Sequence, residues 1–334
     1  MIAERLGVAS TVGDNEDGRG PAGTAVRSDG TWMVALAAAL WGTSALMREP
    51  LTRDMGIPSA TVVFVEHLVL VLCLVPWLGG ALRALRAASV RTKVAVVVIG
   101  AGSSALATTL FTAAFAVGDP ITPQALQKLQ PLIAIVLAAL LLRERVRAGF
   151  WLFAAPAILG AWFLAFPEPF GVTLASASGA LLAVGAASLW AAGTVLGRFV
   201  GAELKPTQVT VLRFVFGLLA MSVIVGVRGE PYMVPWEGVP YVVVLALVPG
   251  LLALSIYYRG LRRTPASRAT LGELAFPLTA AAVGVLILDA SLALSQWAGF
   301  AVVLVSVTAL AVHENRSRRP AVPVPDRVED AVRS

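Results

Sequence analysis

The sequence is poor in residues that carry redox, metal or nucleophilic chemistry. Its 334 residues include one cysteine, Cys73, and two histidines, His67 and His313. One cysteine cannot form an intrachain disulfide, and two distant histidines make no metal-ligand motif. No phosphate-binding loop follows a predicted strand, and no Ser/His/Asp set is apparent. We therefore predict a protein that is not an enzyme, with no catalytic residue, no metal site and no cofactor.

Charged residues are also scarce. They make up 14% of the chain, against about a quarter in soluble domains, while apolar residues make up 57%. The apolar residues form blocks of about twenty, enough to cross a hydrocarbon core about 30 Å thick as helices with internally closed hydrogen bonds. Ten such spans are predicted: 32–47, 59–79, 94–117, 121–142, 148–166, 179–199, 207–227, 239–259, 268–288 and 292–312.

The basic residues are distributed unequally between the gaps that separate these spans. Thirteen Lys and Arg residues lie in the even-numbered gaps, and only Arg48, Arg53 and Arg228 lie in the odd-numbered ones. Because basic residues resist translocation, the even-numbered gaps and both termini are predicted to be cytoplasmic, in the plasma (inner) membrane. This asymmetry accounts for the net charge of +6 without a nucleic-acid partner; the expected partner is the lipid bilayer.

An internal repeat with a period of about 147 residues divides the chain. Trp41 matches Trp190, Glu66 matches Arg213, and the Lys128–Pro131 stretch matches Glu273–Pro277. Each copy holds five spans, an odd number, so the second copy is expected to be inverted in the membrane. The predicted fold is an all-α membrane protein, with ten transmembrane helices as two inverted five-helix repeats at 31–167 and 178–312. The segments 1–30 and 313–334 are predicted to be disordered cytoplasmic tails.

These residues resemble the EamA-type transporters of the drug/metabolite transporter superfamily. The similar elements are Leu40-Trp41-Gly42, the run Gln127–Pro131 that leads to Arg143-Glu144-Arg145, and the later Glu273–Pro277. The resemblance implies a ten-helix secondary transporter, often an exporter of amino acids, metabolites or drugs. The chain departs from the family pattern where Glu66-His67 replaces an arginine that is common in the second span.

Five ionisable residues lie well inside predicted spans: Glu66, His67, Lys128, Arg213 and Glu273. Each costs roughly 2.5–3.5 kcal/mol at a helix centre, so each is expected to face a cavity or a partner. Counting residues from the span ends places Glu66 and Lys128 in the outer leaflet, and Arg213 and Glu273 in the inner one. We predict two charge pairs on this basis, either as alternating gates or as structural links between helices. For His67, a neutral helix contact is favoured over a proton carrier.

Polar residues recur on one face of the fourth span and again in the ninth. Cavity lining is favoured over helix contact for this stripe, which comprises Gln124, Gln127, Lys128 and Pro131, then Thr270, Glu273 and Pro277. The two prolines leave the carbonyls of Gln127 and Glu273 available to a polar group, or merely kink the helices. Trp41 and Trp190 lie mid-span, where they either line the cavity or pack between helices.

The predicted function is a secondary active transporter that exports a small metabolite, such as an amino acid, an amine or a drug-like compound. Alternating access and proton coupling are expected, with Glu66 and Glu273 as the candidate proton carriers. The alternative is a passive facilitator or uniporter of a small polar solute, which would share the fold and the cavity. A homodimer is left open.

Overall fold

The computed structural model describes residues 30–142, 149–172, 174–261, 263–264 and 266–317. Side chains are described in these ranges except at 141–142, 174–176, 266–267, 270 and 315–317. The predicted tail residues 1–29 and 318–334, and the basic residues at 143–147, lie outside the described part of the chain. All regular secondary structure that the structure describes is helical.

The helices follow one another with short connections. In chain order they are α1 (Thr31–Gly42), α2 (Ala45–Glu49), α3 (Ser59–Ala87), α4 (Val90–Val117), α5 (Thr122–Leu140), α6 (Phe150–Ala165), α7 (Leu174–Val200), α8 (Pro206–Arg228), α9 (Trp236–Leu261), α10 (Ala266–Gly272), α11 (Ala275–Leu286) and α12 (Leu294–Ser317). Within the described residues, seven are long and apolar enough to cross a membrane: α3, α4, α5, α7, α8, α9 and α12. Helices α6 and α11 are apolar but shorter. An all-α multi-pass membrane protein is thus confirmed, and the count of ten spans stays a prediction.

Three predicted spans are interrupted rather than continuous. In the first span, helix α1 ends at Gly42, and after a short break the chain continues as α2 and then as a π-helical turn, Pro50–Asp54. The ninth is divided between α10 and α11, and a 3₁₀ turn, Gln127–Leu129, interrupts α5. Prolines explain the last two interruptions, because Pro131 and Pro277 lack the N–H that would close the preceding helical turn. The last helix continues to Ser317, five residues beyond its predicted end at 312.

Two helices contain π-helical segments at related positions. Ile99–Leu106 lies inside α4 and Ala246–Leu252 lies inside α9, so the second begins 147 residues after the first. A π turn widens the helix and withdraws carbonyls from the regular hydrogen-bond ladder. The carbonyl of Pro249 in the second segment accepts a hydrogen bond from the Trp41 indole at 2.9 Å. The widened turns thus provide polar backbone atoms inside the bundle.

Small residues allow helices of the two halves to approach closely. Helix α1 packs against α9 and α11, and a Cβ on Gly42 would lie 2.6 Å from the Phe276 carbonyl. Helices α6 and α12 pack together, where a Cβ on Gly299 would lie 2.5 Å from the Gly160 carbonyl. Neither glycine tolerates a side chain without movement of the neighbouring backbone. The small residues of α6 therefore serve packing within one chain.

An exposed carboxylate links two helix ends at one edge of the bundle. Glu203, in the turn between α7 and α8, accepts hydrogen bonds from the Ser89 N–H at 2.7 Å and the Ser89 hydroxyl at 2.8 Å. It also accepts one from the Thr92 hydroxyl at 2.7 Å. Ser89 precedes α4, so the negative charge lies at a helix N-terminus. Hydrogen bonds from Ser89 and Thr92 lower the pKa of Glu203 below its ordinary value of 4.5.

This contact predicts a pH-dependent contribution to stability. A lowered folded-state pKa means that the contribution is fully present above the unfolded-state pKa and is lost as the pH falls through the folded-state pKa. Glu203→Gln is therefore expected to lower the melting temperature of the detergent-solubilised protein at pH 7, with the difference from wild type shrinking as the pH falls below about 4. Glu237→Gln, at another exposed glutamate, is the control. If Glu203→Gln lowered the melting temperature by the same amount at pH 7 and below about pH 4, this role of Glu203 would be contradicted.

Candidate functional site: a polar cavity between the two halves

A cavity of about 840 Å³ lies inside the bundle and takes its lining from both halves of the chain. Its lining reaches Gly201, Leu204 and Pro206, beside the turn between α7 and α8, so the cavity extends to that end of the bundle. Eight of the twelve predicted site residues line it: Trp41, Glu66, Gln127, Lys128, Pro131, Trp190, Arg213 and Glu273.

The other four predicted site residues are placed differently. The Gln124 side chain is fully buried and donates to the Pro120 carbonyl at 3.0 Å. Pro277 is buried in α11 and does not line the cavity, whereas its neighbour Phe276 does. The Thr270 side chain lies outside the described residues. His67 is 1% exposed.

His67 joins three helices and does not line the cavity. Its Nδ1 lies 2.9 Å from the Val63 carbonyl and its Nε2 lies 2.9 Å from the Ser104 hydroxyl. A Cβ on Gly217 would lie 2.6 Å from the imidazole, so α8 packs directly on the ring. Both ring nitrogens have partners, as in a neutral histidine. The geometry favours the helix-contact interpretation over the proton-carrier one.

Glu66 is paired with Arg48 and not, as predicted, with Lys128. The Nη2 atom of Arg48 lies 3.1 Å from both carboxylate oxygens, and the two side chains are 6% and 9% exposed. Arg48 also donates to the Thr112 hydroxyl and lies over the Phe111 ring at 5.7 Å. The predicted pairing was wrong because Arg48 was assigned to a loop, whereas α2 carries it into the bundle. Trp41, Ser44 and Arg48 share the spacing of one helical face, a signal that could have identified it.

Lys128 and Glu273 lie together, although residue counting had placed them in opposite leaflets. The Lys128 ammonium donates to the Glu273 carbonyl at 3.4 Å and lies 4.9 Å from the Phe276 ring centroid. This carbonyl belongs to the residue four positions before Pro277, as the sequence predicted for a polar contact. The leaflet assignment failed because α5 and the α10–α11 pair are interrupted at these residues, which lets both approach the same part of the cavity.

The Glu273 carboxylate has a partner of its own, Tyr257, that was not expected from the sequence. The Tyr257 hydroxyl donates to it at 2.5 Å, and Tyr257 in turn lies 5.0 Å from Trp41, centroid to centroid. Trp190 contacts Phe111 at 5.1 Å on another part of the wall. Tyr257 lies near the end of α9, where an interfacial tyrosine needs no special explanation, so its role was not apparent from sequence.

Arg213 is the remaining charged residue of the lining, and its predicted pairing with Glu273 was also wrong. The structure gives it no ion pair or hydrogen bond to any residue that it describes, and its buried Nε lacks a partner. The guanidinium lies 5.3 Å from the Phe214 ring centroid. Tyr257 already occupies one Glu273 oxygen. Among the described residues, no group of three or more His, Cys, Asp or Glu side chains could hold a metal ion.

Comparisons with known proteins agree with this architecture. Two stretches of the chain, 29–166 and 177–312, match the EamA-like transporter family. The chain therefore belongs to the EamA-like transporter family, and it is a multi-pass membrane protein. This confirms the resemblance seen in the sequence.

Individual relatives are also transporters by name. The chain is 30% identical over 291 residues, 83% of its length and 96% of the other, to the riboflavin transporter ImpX of Fusobacterium nucleatum. It is 24% identical over 188 residues to the uncharacterized transporter YwfM of Bacillus subtilis, spanning 56% of this chain but only 63% of that protein. A solved crystal structure, 20% identical, shares the fold with a TM-score of 0.56 and covers 87% of this chain and 99% of its own.

Proposed function

We propose that the chain is a secondary active transporter that moves a small metabolite through the central cavity by alternating access. The observation that carries the proposal is that buried or partly buried charged residues from both family-matched stretches line one cavity of about 840 Å³. Charged side chains inside a membrane protein are energetically costly unless they contact a solute, a proton or one another. The interruptions at Gln127–Leu129 and between α10 and α11 put polar backbone atoms at the same place.

The proposed arrangement is ten transmembrane helices in two inverted five-helix units in the plasma membrane, with both termini cytoplasmic. Support comes from the two family matches, the 147-residue spacing of the π-helical segments and the basic residues concentrated in the even-numbered gaps. In this orientation the turn between α7 and α8 is cytoplasmic, so the cavity extends toward the cytoplasm. The buried Arg48–Glu66 pair then lies on the external side of it.

Proton coupling is proposed to involve Glu273. Its carboxylate accepts from Tyr257, and its main chain holds the Lys128 ammonium. Protonation of Glu273 would remove a negative charge beside Lys128 and weaken the link between α5 and the α10–α11 pair. The transport direction that we propose is export, consistent with a cavity open to cytoplasmic solute.

The proposed substrates are amino acids, amines or drug-like metabolites. The relative that is named a riboflavin transporter adds a planar vitamin to this range, and the aromatic lining at Trp41 and Tyr257 suits a flat molecule. The alternative, a passive facilitator of a small polar solute, would use the same cavity without a coupled proton.

The test begins with growth of deletion and overexpressing strains across amino acids, toxic amines and riboflavin analogues. Hits are then followed as radiolabelled solutes in proteoliposomes with an imposed proton gradient. We expect accumulation above equilibrium that collapses when the gradient is dissipated. Equilibration that ignores the gradient would establish the facilitator instead, and no protein-dependent flux for any compound would refute transport.

A further inference from the structure

The cavity carries an excess of positive charge. Among the residues that the structure describes, its charged lining consists of Arg48, Lys128 and Arg213 with two carboxylates, Glu66 and Glu273. Glu66 is fully engaged by Arg48, and Glu273 lies beside Lys128. The excess charge is therefore localised at the Arg213 guanidinium.

Arg213 also lacks the hydrogen-bond partners that a guanidinium normally has. A guanidinium offers five N–H donors, and those of Arg213 meet no acceptor in the part of the chain that the structure describes. The side chain nevertheless lies on the cavity wall, with its Nε atom buried. An unpaired cation at such a position is unfavourable, and a ligand that supplies negative oxygens would remove that penalty.

The wall also carries two pairs of aromatic side chains. The Trp41 and Tyr257 rings lie 5.0 Å apart at an interplanar angle of 49°, and the Trp190 and Phe111 rings lie 5.1 Å apart at 65°. Aromatic faces favour planar groups by stacking, and the carboxylate of Glu66 is not free to recruit a cationic ligand. A planar cation would have to displace Arg48 or compete with Lys128.

We propose that the transported solute is an aromatic organic anion, whose carboxylate or phosphate is bound by Arg213 and whose ring contacts the aromatic walls. This inference rests on the proposed transport function and narrows its substrate class. The guanidinium fork matches two oxygens of either anion, so the ligand chemistry is shared by carboxylates and phosphate monoesters.

The charge of the ligand is tested with indole compounds that share one ring system. Binding to the full-length protein in detergent is measured by isothermal titration with indole-3-acetate, indoxyl phosphate, neutral indole-3-acetamide and cationic tryptamine. We expect one or both anions to bind at least about tenfold more tightly than the amide, and the amine to bind most weakly. The two anions distinguish the carboxylate from the phosphate source.

The contribution of Arg213 is tested with matched variants. Arg213→Gln is expected to weaken binding of the preferred anion by roughly thirtyfold while leaving indole-3-acetamide within about threefold. Arg213→Lys keeps the charge but loses the two-pronged guanidinium geometry, so its affinity for the anion should lie between those of the wild type and Arg213→Gln. Arg83→Gln, the same change at an exposed arginine, should change neither ligand. A general loss of structure would weaken both ligands equally, so the anion-to-amide ratio reports on Arg213 itself.

Several results would overturn the inference. They are tightest binding by tryptamine or the amide, an anion-to-amide ratio that Arg213→Gln leaves unchanged, or binding of none of the four compounds. If every Arg213 variant misfolds, the relative affinities of the wild-type protein for the four indole compounds still test the inference. Transport is judged separately by the strain panel and proteoliposome flux: export of a cation or a neutral solute would preserve the proposed function while refuting the aromatic anion.

Discussion

Replacing Glu66 with glutamine is expected to lower the free energy of unfolding by about 3–5 kcal/mol, because the change leaves the Arg48 charge buried without its counter-ion. The pair is almost fully enclosed, and the further contacts that the structure describes for Arg48 include the neutral Thr112 hydroxyl and the Phe111 ring. The effect is measured as a loss of monodisperse protein and a lower melting temperature in detergent. It should be the largest stability effect of any single charge removal in this cavity.

A double variant distinguishes the cost of leaving one buried charge unpaired from the effect of removing the whole ion pair. Arg48→Met combined with Glu66→Leu removes both charges, and replacement of a whole buried pair by apolar residues is often neutral or stabilising. We therefore expect the double variant to recover most of the stability lost by Glu66→Gln, a clear departure from additivity. Wild-type stability in the single variant would show that water reaches the pair.

A neighbouring ion pair provides the control. Arg53 pairs with Glu49 at 2.6 Å in the same stretch of chain; the Glu49 side chain is 10% exposed, but the Arg53 side chain is 43% exposed, so water reaches the pair from one side. Exposed pairs contribute only about 0–1 kcal/mol. Arg53→Gln should therefore change stability far less than Glu66→Gln, although the two variants each break one ion pair of the same type.

Replacing Glu273 with glutamine is expected to abolish proton-driven accumulation while sparing exchange. Glutamine can still accept a hydrogen bond from Tyr257 but cannot take up or release a proton. Proteoliposomes that hold the variant should equilibrate solute in counterflow but should not concentrate it under an imposed proton gradient. The measurement is the ratio of accumulated to equilibrium solute at several gradient sizes.

Glu237→Gln, at an exposed position in the first turn of α9 and outside the cavity lining, is the matched control and should accumulate solute like wild type. If solute accumulation by Glu273→Gln still rose with the proton gradient, the coupled proton would have to bind at another residue. Glu66 is then the remaining carboxylate of the cavity, and it would have to leave Arg48 to be protonated.

The cavity residues can be predicted from the sequence more reliably than their partners. Trp41, Lys128, Trp190, Arg213 and Glu273 were identified because polar or aromatic residues are conspicuous inside apolar spans. Their pairing depended on lateral packing, which residue counting cannot reveal. It also depended on helix interruptions, which bring residues of different predicted depth together.

The residues that sequence analysis missed share one property. Arg48 and Tyr257 lie near predicted span ends, where basic and aromatic residues are expected anyway. Only their burial and contacts distinguish them, through the ion pair with Glu66 and the hydrogen bond to Glu273. The helix bundle itself followed from hydropathy, since lipid permits few alternatives to a helix.

The paired π-helical segments bear on the history of the chain. Each widened turn reflects one extra residue accommodated in a helix, and the two lie 147 residues apart in otherwise equivalent helices. In the proposed two-unit arrangement, one insertion in an ancestral gene followed by duplication would account for both segments, and the widened turn would be older than the two-unit protein.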